Sequence, residues 1–145
     1  MNFKYMYQKV VDLKSNEKTQ AEWMLSAAIG ELQAEQRTLE QLMEDKARAN
    51  EAMLSEGGSS MLRLQELQRY VEHLDRCIKK KLEDIESAEI NVEHKKSQLS
   101  SRLLDEKVWL KAKEKAKTAF EQQILLREQN ELDEMATVRF AMKAR

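Results

Sequence analysis

The chain has 145 residues, 35% of them charged and only 6% aromatic, and its 25 Lys and Arg nearly balance its 26 Asp and Glu to leave a formal charge of −1. That balance argues against a protein built mainly to coat nucleic acid or anionic lipid, since both tasks reward a large positive charge. Strong helix formers dominate and proline is absent, a composition of long helices rather than of a compact aromatic-rich core. Cys77 is the single cysteine, so no intrachain disulfide can form and the chain fits a reducing compartment. The opening MNFKYMYQKVVDLK has no apolar run followed by a small-residue cleavage site, and nowhere do the roughly 18 to 20 apolar residues of a membrane span occur. The expectation is a cytoplasmic, soluble protein.

Residues 2–55 are interrupted only by Gly30, at a cost of about 1 kcal/mol that a long helix absorbs, and so predict one helix. Phe3, Met6, Val10 and Leu13 follow a coiled-coil seam, and a second set comprises Leu25, Ile29, Leu32, Leu39, Met43 and Met53. Joining the two sets requires a one-residue slip of phase near Met24, which alters supercoiling without ending the helix.

SEGGSS, residues 55–60, gathers two of the three glycines and predicts a bend at 56–60. Gly57 or Gly58 closes the first helix in the left-handed conformation, and Ser59 or Ser60 caps the second. Arg63 stands where a full capping box would have Glu or Gln.

The second helix, expected over 61–142, carries the clearer pattern. Leu64, Val71, Ile78, Ile85, Val92 and Leu99 lie seven apart, and the register continues through Glu106 and Lys113 to Phe120. The companion position reads Leu67, Leu74, Lys81, Ala88, Lys95, Arg102, Trp109 and Ala116, and where it turns polar Leu82, Leu103 and Leu110 broaden the seam one residue later. Glu44 with Arg48, Glu72 with Arg76 and Asp75 with Lys79 have the favourable acid-before-base order for intrahelical pairs.

Together these elements predict an all-α fold over 1–145, in which two long helices form a single antiparallel coiled-coil hairpin with a C-terminal overhang. At about 1.5 Å per residue the arms span roughly 80 and 120 Å, so pairing runs out where Phe3 reaches Lys113 and Glu114. Residues 115–145 then project uncovered, with Ala116, Ala119, Phe120, Ile124, Leu125, Leu126, Leu132, Met135, Val138, Phe140 and Met142 awaiting a partner.

Signs of catalysis are weak. His73 and Cys77 have metal-ligand spacing on a helix, but two ligands make no zinc site, and a surface histidine beside a small thiol is the plainer reading. Asp84 with Glu86, and Asp133 with Glu134, have no concave wall to desolvate them and read as a solvated face. The GG of SEGGSS lacks the GK[ST] continuation of a phosphate loop. The lysine run EKVWLKAKEKAK, 106–117, is interrupted by glutamates and reads as a solvated coiled-coil flank before it reads as a nucleic-acid or lipid surface. No enzyme activity, metal or cofactor is expected.

Two stretches, YMYQKVVDLKSNEKTQAE at 5–22 and LQRYVEHLDRCI at 67–78, resemble the flagellar FliJ family, as do the length, the position of the glycine bend and the methionine-rich C-terminus. The resemblance implies a stalk, shaped like the central γ stalk of rotary ATPases, in the bacterial flagellar type III export apparatus. Its helix ends would engage the export ATPase (FliI), its bend-proximal face would contact the cytoplasmic domain of the export gate protein (FlhA), and it would handle export chaperones. Carried over by position, the gate-facing stripe would be Tyr70, Leu74, Cys77 and Lys81, with Leu39 and Leu42 on the first helix. Cys77 and Lys81 depart from the alanine and histidine of the family pattern. The ATPase-facing residues would be Tyr5, Tyr7, Leu13 and Phe120. The same resemblance implies a monomer held peripherally at the cytoplasmic side of the cell membrane. Leu39 and Leu74 equally fit the hairpin's own seam, Tyr70 lies just off it, and the four ATPase-facing residues equally pad the seam. Two other readings stand beside the stalk. One is a coiled-coil chaperone, although prefoldin-like proteins place β-hairpins where this chain has only SEGGSS. The other is a scaffold that dimerises through the overhang.

Overall fold

A computed structural model describes residues 2–55 and 60–144. Among these residues the secondary structure is helical, with α1 at Gln8–Ser55 and α2 at Met61–Lys143. Residues 56–59 of the expected bend lie outside the described residues. Ser60 opens α2 as its cap. Its carbonyl accepts from the Arg63 and Leu64 amides at 3.1 and 3.3 Å, and its Oγ accepts from the Arg63 amide at 3.4 Å. α1 passes through Gly30, where an added Cβ would meet nothing within 4 Å, so that glycine answers no packing need.

The chain groups into two contact units, one of residues 20–100 and one of 1–19 with 101–145. Within the first, Glu35 pairs with Lys81 and Lys46 with Asp75, so the partner's number falls as α1 advances and the helices run antiparallel. Within the second the same order holds, with Phe3 against Phe120, Tyr7 against Trp109 and Lys14 against Asp105. The fold is an all-α antiparallel helical hairpin.

Burial reproduces the α2 seam predicted from the heptads. Leu74, Ile85 and Val92 are buried, and Leu64, Leu67, Val71, Ile78, Lys81, Ala88, Lys95 and Leu99 are half-buried at the intervening seam positions. Leu82, Leu103 and Leu110 do not broaden it, because all three are exposed. Lys81 keeps its seam place through its ion pair with Glu35, so no neighbouring leucine has to replace it.

The α1 seam differs from the expected one. Val11 is 4% exposed, whereas Leu13 is 53% exposed and Met6 also faces solvent. The covered positions run Val11, Lys14, Lys18, Ala21, Leu25, Ala28, Leu32, Glu35, Leu39, Leu42, Lys46 and Ala49, an unbroken alternation of three and four. No phase slip is present. The expected slip arose from counting only large apolar residues, while lysines here lay aliphatic stems along the seam and pair their ammonium groups at its edge. Met43 is likewise exposed and Leu42 takes the seam position. Ala21, Ala28 and Ala49 are among the few buried residues.

The helix begins at Gln8 rather than at residue 2, and aromatic packing explains the difference. Phe3 and Tyr5 stack with centroids 6.4 Å apart, and Tyr5 meets Tyr7 edge-on at 5.7 Å. Residues two apart on a helix point to nearly opposite sides, so this ladder of contacts requires non-helical backbone. A non-helical segment also covers more distance per residue than the roughly 1.5 Å rise of a helix. Phe3 therefore meets Phe120, at 5.5 Å, and not the neighbourhood of Lys113 and Glu114. Ala116, Phe120 and Ile124 are accordingly half-covered, and the overhang proper begins at Leu125, from which every described residue is exposed.

Two expected intrahelical partners choose otherwise. Arg48 pairs with Asp45 at 2.8 Å, and Asp75 reaches across to Lys46 at 2.6 Å.

Candidate functional site

Each contact unit holds one of the two surfaces marked out by the sequence. In the unit of residues 20–100, the stripe Tyr70, Leu74, Cys77 and Lys81 is divided by the seam. Leu74 is 4% exposed and Tyr70 is 46% exposed. A side chain that α1 covers is not free to meet a second protein, so Leu74 serves the hairpin itself. Cys77 is half-buried, with Sγ 3.6 Å from Nε2 of His73 one turn earlier. Among the described residues no group of three or more His, Cys, Asp or Glu converges to hold a metal.

Lys81 donates from Nζ to Glu35 Oε2 at 2.7 Å and lies 3.6 Å from Asp84 Oδ2. The hydrogen bond to Glu35, joined by the charges of Glu35 and Asp84, raises its amine above the usual value of 10.5 against a smaller opposing effect of desolvation. The side chain ties the two helices together and fixes their register, a use to which polar seam residues are well suited. Leu39 and Leu42 are half-buried at consecutive seam positions of α1. Of the six residues in this set, Tyr70 is the one that is exposed, at somewhat under half of its surface.

The unit of residues 1–19 and 101–145 has a different construction. Its hairpin portion is held by charge as much as by apolar packing. Lys14 lies 3.6 Å from both Glu17 and Asp105, Lys18 lies 3.8 Å from Glu106, and Arg102 donates to Glu17 at 3.0 Å. Beyond these pairs the rings of Phe3, Tyr5 and Tyr7 form a strap across α2, ending on Phe120 at one side and on Trp109, 6.0 Å from Tyr7, at the other. Tyr5 and Phe120 are half-buried in this cluster, and Tyr7 and Leu13 are exposed. The structure thus brings Tyr5, Tyr7 and Phe120 into one aromatic group and leaves Leu13 outside it.

Phe3 and Trp109 belong to that group although only seam packing, or a place in the lysine run, was expected of them. The missed signal is the alternation of Phe3, Tyr5 and Tyr7, whose period of two does not fit one face of a helix. Past Ile124, Leu125, Leu126, Leu132, Met135, Val138, Phe140 and Met142 are exposed along about five turns of α2. Leu132, Met135, Ala136, Arg139, Phe140 and Lys143 line a shallow open hollow there. No helix among the described residues is long and apolar enough to cross a membrane.

The model of the family described as flagellar FliJ protein matches residues 3–145, essentially the whole chain. No curated protein and no solved structure matches.

Proposed function

The chain belongs to the flagellar FliJ family and so to the components of the flagellar export apparatus, and on that premise we propose that it is a non-enzymatic stalk coupling the export ATPase (FliI) to the export gate (FlhA). The observation that carries this reading is the contrast along α2. Up to Ile124 the apolar side chains at its heptad seam positions are buried or half-buried beneath α1 or the aromatic strap, and from Leu125 onward every described residue is exposed although the sequence stays rich in apolar side chains. Exposed apolar surface of that extent is costly to solubility and is characteristic of a face that meets another protein.

In this reading the ATPase engages the overhang together with the neighbouring helix ends, where Tyr7 and Leu13 are accessible and Tyr5 and Phe120 hold the strap in shape. Tyr70 supplies the gate contact, and Leu74, Lys81, Leu39 and Leu42 keep the two helices aligned beneath it. Export chaperones are further partners. The stalk works at the cytoplasmic face of the cell membrane, held there by its partners.

Truncation after Ile124 tests the reading. The shortened chain should retain the helicity and melting midpoint of the hairpin and lose at least about tenfold in affinity for the export ATPase, as loss of an interface's apolar anchors commonly does. Loss of folding, or unchanged affinity, would contradict it.

A further inference from the structure

The hairpin register, continued past Phe120, falls on Gln123, Arg127, Asn130, Glu134 and Thr137, all polar, and after them only on Ala141 and Ala144. The overhang therefore does not extend the seam that α1 fills. A second seam starts on another face, with Leu125, Glu128, Leu132, Met135, Arg139 and Met142 spaced three, four, three, four and three residues apart. All six side chains are exposed.

This second seam has a property that the first lacks: it reads as its own complement when reversed. In an antiparallel coiled coil each layer pairs one heptad position with the other, so a two-fold axis between Leu132 and Met135 sets Leu132 against Met135 of the other copy. The same axis sets Glu128 against Arg139 and Leu125 against Met142. Each layer occurs twice, and each is apolar on apolar or acid on base. A parallel arrangement would stack Glu128 on Glu128 and Arg139 on Arg139. Outside the seam the overhang carries Arg127, Glu131, Asp133 and Glu134 in its first half and Lys143 near its end, and the complementarity rests on the seam layers themselves. A closed dimer requires one patch to be complementary to itself, and docking onto an unrelated protein imposes no such symmetry.

We propose that the overhang is an antiparallel self-association surface whose occupant, in the free protein, is the overhang of a second copy of this chain. Residues 125–142 span about 26 Å, and a seam of that length is smaller than the roughly 20 to 30 residues a side of a standard interface. The dimer is therefore weak and reversible. It does not depend on the export reading, because its layers follow from this chain alone.

The test is sedimentation velocity on the full chain from about 1 µM to 1 mM, the range of affinities expected of so short a contact. A monomer–dimer equilibrium is expected, and a chain that stays monomeric throughout overturns the proposal. Glu128→Arg and Arg139→Glu should each raise the dissociation constant at least about tenfold, since each places like charges in two layers. The double variant should recover, and the two single variants mixed should form a heterodimer in preference to either homodimer. Unchanged association in the single variants refutes the layer assignment. Orientation is read separately in a Cys77→Ser background. Leu132→Cys chains mixed with Met135→Cys chains should cross-link to each other, and prevalent linkage between two Leu132→Cys chains would overturn the antiparallel arrangement.

Discussion

Leu74 and Tyr70 lie one helical turn apart on α2 and differ sharply in exposure, Leu74 lying beneath α1 and Tyr70 at its edge. Truncating Leu74 to alanine removes three carbons from a side chain that is 4% exposed. At about 0.8 kcal/mol per buried carbon the lost transfer energy is about 2.4 kcal/mol. A cavity term adds to it, but two helices can close over a gap more readily than the walls of a globular core, so the total should be about 2.5 to 3.5 kcal/mol, in the lower half of the usual range. For a cooperative unit of 145 residues this lowers the melting midpoint by about 8 to 12 °C. Tyr70, at 46% exposed, should cost less than about 1 kcal/mol when truncated, because much of its ring is already in water. The assay is thermal melting followed by helical circular dichroism, with binding to the cytoplasmic domain of the export gate measured on the same samples. The expected pattern is a large shift with Leu74→Ala and a small one with Tyr70→Ala, which should nevertheless weaken gate binding. If Tyr70→Ala destabilises as much as Leu74→Ala and leaves gate binding intact, the division of the stripe is wrong.

The seam of α1 gives a second comparison: Val11→Ala should destabilise by about 1 to 2 kcal/mol and Leu13→Ala by less than about 0.5 kcal/mol, despite the larger side chain lost, and the reverse order in chemical denaturation would restore the register through Leu13. Lys81 gives a pH dependence. Its folded value is raised above 10.5, so its contribution is fully present below that pH and is lost as pH rises through the higher folded value. Melting midpoints of the parent chain should therefore fall toward those of Lys81→Met above about pH 10.5, and a constant difference between the two across that range would refute the Glu35 assignment.

The legibility of each element in the sequence depended on what filled its seam. α2 was readable because Leu64, Val71, Ile78, Ile85, Val92 and Leu99 are large, apolar and seven apart, and burial follows that column. α1 was misread by one residue at its start because its seam positions hold Lys14, Lys18, Ala21, Ala28, Glu35, Lys46 and Ala49, which a search for large apolar residues passes over in favour of Met6, Leu13 and Met43. Alanine is small enough to be enclosed without announcing itself, and a lysine whose head is paired across the seam is indistinguishable in sequence from one on a solvated flank. The candidate stripe was partly legible, since Tyr70 lies just off the register of Leu67, Val71 and Leu74 and is exposed, whereas Leu74 lies in it and is buried. The overhang shows the converse. Its uncovered residues were legible from the unequal lengths of the arms, but length alone carried the polar run Arg127, Asn130, Glu134 and Thr137 along with the rest. Only when burial fixed the phase of α2 up to Phe120 did those residues emerge as the end of one seam, and Leu125, Leu132 and Met135 as members of another. A partner that merely prolonged α1 would meet the polar run, so whatever binds the overhang approaches α2 from a different side.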